Sequence, residues 1–255
     1  MKRGAGGDLT ILIDQVSETA ILDSLRHDLG EQSFVFVSEE LGEATVEGDE
    51  PRPIVICDPL DGSHNAQVGI PLSSLSLAVL GVRKQMRPSR KRHFGDVDVA
   101  LVQSIMTDDE YFGLRGQGAY HNGKSLTRSR ASKESERIET LGIECSDVDY
   151  FKELITRLTK KRVNKLRALG SVAMSLSLLA EGGLDALIFA QPGGARSIDS
   201  AAGCLIAKEA GCIFSDLAGG KKIDSVEVGF HSRVNILGAR SERIHREIVR
   251  LVHEL

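Results

Sequence analysis

The spacing of apolar positions changes period several times along this chain, and each change marks an element. Val16, Ala20, Ile21 and Leu25 fall on one helical face, predicting a helix over 16–29 that Gly30 closes in a left-handed C-cap. SFVFVSEE (33–40) is β-rich and reads as a strand ending in two glutamates. A polar loop through Pro53 leads to the strand IVICD (54–58), and SLSLAVLGV (74–82) reads as its neighbour. VALVQSIM (99–106), EYFGLRG (110–116) and GAYHNGKSL (118–126) predict an antiparallel meander, with Asn122-Gly123 as a hairpin turn. Helices are expected over 149–159 and 171–180, a strand at LDALIFA (184–190), and a helix through SIDSAAGCLIAKEAGC (197–212) that stops at Gly211. VNILGA (234–239) reads as a last strand. Ser241 N-caps a terminal helix with Ile244, Ile248, Leu251, Val252 and Leu255 as its buried stripe. The sum is a mixed α/β chain, for which two sheets are the economical solution.

Composition narrows the function classes. A chain of 255 residues can bury a large core, as one big domain or two halves sharing a cleft. With 32 Lys+Arg against 36 Asp+Glu the net charge is −4, which is not the basic footprint of a nucleic-acid binder. Aromatics make up 4% and Trp is absent, so base-stacking platforms are not expected. The four cysteines lack CxxC spacing and read as buried thiols of a reducing compartment. No apolar run approaches the ~20 residues of a membrane span, so a soluble, cytoplasmic protein is expected. The basic stretch 83–93 reads as a solvated loop. GLRGQGAYHNG (113–123) lacks the glycine spacing and following helix of a dinucleotide fingerprint.

The chemistry concentrates in CDPLDGSHN (57–65). Asp58 and Asp61 are read as lying just past a strand end, where loops carry functional groups on a rigid scaffold. Like charges this close repel unless a cation sits between them. Pro59 fixes the backbone between them, Leu60 offers a carbonyl oxygen, and hard divalent cations such as Mg²⁺ favour such oxygen ligands. If the strands at 33–40 and 54–58 are parallel neighbours, Glu39 stands beside Asp58. Asp199 opens a helix and adds another acid. Gly62-Ser63 supplies close backbone approach and free N–H groups for a phosphate. Metal ligands beside phosphate donors point to metal-assisted phosphoryl transfer to water, and so to a phosphatase.

VSEE (37–40), DPLDGS (58–63) and IDSAAGCLIAKEAG (198–211), in this order, resemble the inositol monophosphatase and fructose-1,6-bisphosphatase superfamily, above all its archaeal, bifunctional branch. GDLTILIDQVSE (7–18), RGQGAYHNGKSL (115–126), LGSVAMSLSLLAEGGLDALIF (169–189) and VNILGARSERI (234–244) extend the likeness over nearly the whole chain. The resemblance implies a layered α-β-α-β-α sandwich with two mixed sheets, one domain over 1–255 with approximate halves 1–140 and 141–255, and a homodimer. It also implies two or three Mg²⁺ ions held by Glu39, Asp58, the Leu60 carbonyl, Asp61 and Asp199, with Glu40 behind them. Ser63 would orient the attacking water and Asp14 would pair with its hydroxyl, while Gly62, Ser63, Arg167, Val172 and Arg196 would meet a phosphorylated sugar or cyclitol.

This sequence departs from the family in several places. Only a few residues precede GDLT, where relatives carry a helix, which fits either a truncated chain or one that has shed that helix, and leaves the N-terminal packing open. Ile198 replaces a common Trp, Ala66 replaces an aromatic, and the basic loop is longer than usual. Two rivals stand beside this reading: a nucleotidase of the same superfamily acting on 3′-phosphoadenosine phosphates, and a non-catalytic sugar-phosphate binder built on the same fold, against which the retention of all these acids argues. A haloacid-dehalogenase-like site is disfavoured, because its aspartates are one residue apart rather than two.

Overall fold

The computed structural model describes residues 12–29, 33–46, 53–82, 91–126, 138–158 and 163–253. Its larger sheet has eight strands: β1 (Phe34–Ser38), β2 (Gly42–Val46), β3 (Ile54–Asp61), β4 (Ser74–Leu80), β5 (Val97–Ser104), β6 (Glu110–Leu114), β7 (Gly118–His121) and β8 (Lys124–Ser125). They are ordered β2-β1-β3-β4-β5-β6-β7-β8, with β1 and β3 parallel and every other pairing antiparallel. The second sheet holds β9 (Ile138–Glu144), β10 (Val163–Arg167), β11 (Ala186–Phe189), β12 (Ile213–Asp216) and β13 (Ile236–Ala239), in the order β10-β9-β11-β13-β12. Among the described residues there are six α-helices: α1 (Leu12–Leu29), α2 (Ser63–Val68), α3 (Val148–Leu158), α4 (Val172–Glu181), α5 (Ser197–Glu209) and α6 (Glu242–His253).

Strand alternation sorts the side chains into layers. Phe34, Phe36, Val55 and Cys57 face α1 through Ile21, Leu22, Leu25 and Leu29. Their neighbours Val35, Val37, Ile54 and Ile56 face the opposite way, onto α4 and α5 through Leu176, Leu179, Leu205 and Ile206. Leu187 and Phe189 of β11 close this middle layer, while Ile188 and Ile143 turn outward to Leu154 of α3 and Ile244 and Ile248 of α6. The order of layers is therefore helix, sheet, helices, sheet, helices, the sandwich that the resemblance implied. In the middle layer α4 and α5 nearly touch: a Cβ on Gly203 would lie 2.5 Å from that of Leu176. Every additional carbon there would separate the helices on which both sheets rest.

Several expectations need correction. The first helix begins at Leu12, and its buried face carries Glu18 while Val16 and Ala20 are exposed. Counting the helical period from Glu18 explains this: Leu22, Leu25 and Leu29 follow at i+4, i+7 and i+11, whereas Val16 and Ala20 are ~200° away. The segment read as polar loop contains β2. Three further strands escaped the pattern. β9 has an internal glycine, β10 is a polar edge, and β12 is four residues long. Asn122 and Gly123 both adopt positive φ (49° and 73°), as the hairpin requires. Ser241 caps α6, accepting from the Ile244 N–H. Gly30, Leu255 and residues 83–90 of the basic stretch lie outside the described residues.

Candidate active site

The parallel pairing of β1 with β3 runs in register from Val35↔Ile54 to Ser38↔Cys57. The next residue of each strand is Glu39 or Asp58, so these acids come side by side as the sequence suggested. Glu39 and Glu40 do not end a strand, however; with Leu41 they form the turn into β2. Asp58 and Asp61 also lie inside β3 rather than beyond it. In a regular strand, residues three apart point to opposite faces. Here Asp58 pairs with Ser76 and Asp61 with Ser74, so β3 has one extra residue in a bulge. The bulge corrects the parity and brings both carboxylates to one side. Leu60 N–H closes it by donating to Asp58 Oδ1 at 3.1 Å.

The chain then turns at Gly62 (φ 83°) into α2, which begins at Ser63. A side chain at position 62 would adopt a strained φ and meet the Leu72 carbonyl oxygen at 2.8 Å, so glycine is required by the protein's own backbone. From the other half of the chain, the N-terminus of α4 reaches Asp61. Ser171 Oγ (2.5 Å) and Ala173 N–H (2.8 Å) donate to Oδ2, and Val172 N–H (3.1 Å) donates to Oδ1. Buried Glu144 secures the loop before α4, accepting from Leu169 N–H (3.0 Å), Gly170 N–H (2.9 Å) and Ser175 Oγ (2.6 Å). Asn65 grips the same loop through the Leu169 carbonyl at 2.7 Å. Glu144→Ala strands two backbone N–H groups, so a loss of about 2–4 kcal/mol is expected. It should appear as a lower urea midpoint with an unchanged slope.

Asp14 from α1, Glu39, Glu40, Asp58, Pro59, Leu60, Asp61, Gly62, Ser63 and Asp199 line one cavity of about 280 Å³. Asp199 is the third residue of α5, whose N-cap is Arg196, so it is not itself a cap. Its Oδ1 is buried without a hydrogen-bond partner. Burial first, and then the charges of Glu39 and Asp61, push the Asp199 carboxyl up to about 8, with Arg196 and Arg233 opposing. Asp58 is raised well above the usual carboxylate range by burial and by Asp61, Asp199 and Glu39. Burial also raises Asp61, against the pull of its donors on α4.

This donor set fits a hard divalent cation: oxygen ligands only, mutual repulsion, and one orphaned carboxylate oxygen. Among the described residues no three His, Cys, Asp or Glu side chains already form a finished ligand group. The reasons are local. Glu39 is turned into an ion pair with Arg196, and both Asp61 oxygens accept from the N-terminus of α4.

A model of the inositol monophosphatase family matches residues 2–255. The chain belongs to that family. The fructose-1,6-bisphosphatase of Pyrococcus furiosus is 33% identical over 252 residues, covering 99% of this chain and 87% of the relative. A bifunctional NADP phosphatase/NAD kinase of Methanococcus maripaludis is 28% identical over 98% of this chain but only 44% of its own length. The solved structure of an inositol monophosphatase-fructose 1,6-bisphosphatase, the MJ0109 gene product, superposes with a TM-score of 0.78 at 25% identity, covering 98% of this chain and 88% of that one. This inositol monophosphatase family member is accordingly a phosphomonoesterase, in a family whose norm is metal dependence.

Of the residues assigned from sequence, Asp14, Glu39, Glu40, Asp58, Leu60, Asp61, Gly62, Ser63 and Asp199 meet in the cavity. Arg196 stands beside it through Glu39. Arg167 and Val172 do not line it: Arg167 is exposed and donates to the Leu166 carbonyl at 2.8 Å, and the buried Val172 gives its N–H to Asp61. Sequence reasoning missed Glu18, Asn65, Glu144 and Ser171. Only Ser171 carried a local signal, as the residue opening a helix.

Proposed function

We propose that this chain hydrolyses inositol 1-phosphate, fructose 1,6-bisphosphate or both, with two or three Mg²⁺ ions. The supporting observation is the crowd of carboxylates around one small cavity, with an unpartnered Asp199 oxygen, next to the turn that opens α2. Glu39, Asp58, the Leu60 carbonyl, Asp61 and Asp199 would hold the ions, and for Glu39 this would mean exchanging its ion pair with Arg196 for the cation. Once bound, the ions neutralise phosphate charge and make water more acidic. Ser63 accepts a hydrogen bond from the attacking water and passes its own proton toward Asp14, which keeps the water's lone pair aimed at phosphorus. Gly62 and Ser63 N–H groups hold the phosphate oxygens. The Arg196 guanidinium, released from Glu39, suits a second phosphate on the substrate. By analogy with its family the protein works as a cytoplasmic homodimer, and four free cysteines are compatible with that compartment.

Phosphate release is the test, measured with Mg²⁺ and with chelator. The substrates are inositol 1-phosphate, fructose 1,6-bisphosphate, 3′-phosphoadenosine 5′-phosphate and NADP. Mg²⁺-dependent release with the highest kcat/KM on one of the first two is expected. Preference for either nucleotide moves the substrate to that class, and no release from any of them by folded, metal-binding protein overturns the proposal.

A further inference from the structure

We propose that Glu18 is a positioning residue that sets Glu39 in place for cation binding; this rests on the assignment of Glu39 as a ligand under the proposed function. Glu18 lies one helical turn after Asp14, on the face of α1 that meets the large sheet. Asp14 reaches the cavity, whereas Glu18 is buried one turn away and is not part of the cavity wall. Its Oε1 accepts from Ser38 Oγ and from Leu41 N–H, the latter at 3.2 Å. Leu41 N–H also lies 3.2 Å from Ser38 Oγ. One carboxylate oxygen thus ties together the residues on either side of Glu39 and Glu40, fixing the turn from behind.

The surroundings make stability a poor explanation for this acid. Ile21, Leu22, Leu25 and Leu29 of α1 pack against Phe34, Phe36, Val55 and Cys57. An apolar residue at position 18 would extend that contact, while a buried carboxyl has to overcome its own desolvation. What the carboxyl does, and a leucine could not, is hold the Ser38–Leu41 turn. Through that turn it fixes the distance between two groups on different elements, Asp14 on α1 and Glu39 ahead of β2. Glu39 must also leave its ion pair with Arg196 to take a cation. A slack turn would let it follow the guanidinium instead.

The bonding pattern supplies a sharp discriminator. Both donors go to the same oxygen, so the single carbonyl oxygen of a glutamine can replace it without the charge. Mg²⁺ binding is measured by calorimetry on the full chain, alongside phosphate release. Glu18→Ala should weaken Mg²⁺ about 10–100-fold, the range for groups that orient a ligand. The substrate KM at saturating Mg²⁺ should move little. Glu18→Gln should stay within about threefold of wild type, and Glu18→Ala placed on Glu39→Gln should add less than about twofold. Unchanged Mg²⁺ affinity in a folded Glu18→Ala protein overturns the proposal, as does a full additive loss on Glu39→Gln. If Glu18→Ala does not fold, Ser38→Ala decides: several-fold weaker Mg²⁺ supports the role, and wild-type affinity overturns it. A wild type that binds Mg²⁺ but hydrolyses nothing overturns the proposed function alone.

Discussion

Asp199→Asn is expected to raise the melting temperature of the metal-free protein while lowering Mg²⁺-dependent phosphate release by more than about 100-fold. The two effects have one origin. Asp199 is pushed up to about 8 by burial and by Glu39 and Asp61, and its Oδ1 has no partner to compensate. At pH 8.5 it is ionised among other acids, and a neutral amide removes that repulsion. A gain of about 1–2 kcal/mol is equivalent to about 3–6 °C in a chain of this length. The same change removes an ionic ligand, a larger loss than the ~10–100-fold typical of groups that only support ligands. Differential scanning calorimetry in chelator and a phosphate-release assay in Mg²⁺ read the two sides. A lower metal-free melting temperature would mean that the Asp199 charge is stabilised by the fold and not burdened by it.

Between pH 6.5 and pH 8.5 the metal-free wild type should lose stability, and Mg²⁺ should restore it. Unfolded carboxyls titrate near ~3.9. Asp58, Asp61 and Asp199 are all raised in the fold, chiefly by burial, Asp199 to about 8. In that window Asp199 keeps a proton that its unfolded counterpart has released, so stability falls as pH rises toward its folded value, and the upward shifts of Asp58 and Asp61 have the same sign. Starting at pH 6.5 limits the opposite contribution of His245, which burial holds below its ordinary value and which favours the fold as pH rises. A fall in melting temperature on the order of 5–10 °C is expected in chelator, with most of it abolished by saturating Mg²⁺. A flat profile in chelator would remove the argument that these acids repel one another. Asp199→Asn should flatten it in part, which ties the two experiments together.

Much of the site was legible because its chemistry is local. Asp58, Asp61, Gly62 and Ser63 fall within six residues, and two carboxylates beside a Gly-Ser turn suggest a cation and a phosphate without reference to distant residues. The parallel neighbours β1 and β3 then bring Glu39 to Asp58 as the sequence implied. What could not be read depends on partners far along the chain. The donors that fix Asp61 come from residues 110 to 112 positions later, and Val172, assigned to the substrate from sequence, is buried with its N–H on Asp61. The bulge in β3 is equally hidden, since Asp-x-x-Asp reads as a turn after a strand until Ser74 and Ser76 show its register. Val16 and Ala20 were placed on the wrong face of α1 because the reading anchored the period on apolar residues. Its buried anchor, Glu18, is polar, and a polar residue facing a sheet leaves no trace in a hydrophobic pattern.

The middle layer also sets an order on the making of the protein. The ribosome completes the eight-stranded sheet with Ser125, while α4 and α5, which cover its inner face, end only at Glu181 and Glu209. Until then Val35, Val37, Ile54 and Ile56 have no helical cover, and Asp61 waits for α4 to supply its donors. The inner face of the large sheet and the acidic pocket thus both depend on helices encoded after the sheet itself. Covering the sheet and completing the pocket use the same two helices, so a change that loosens α4 or α5 should disturb both together.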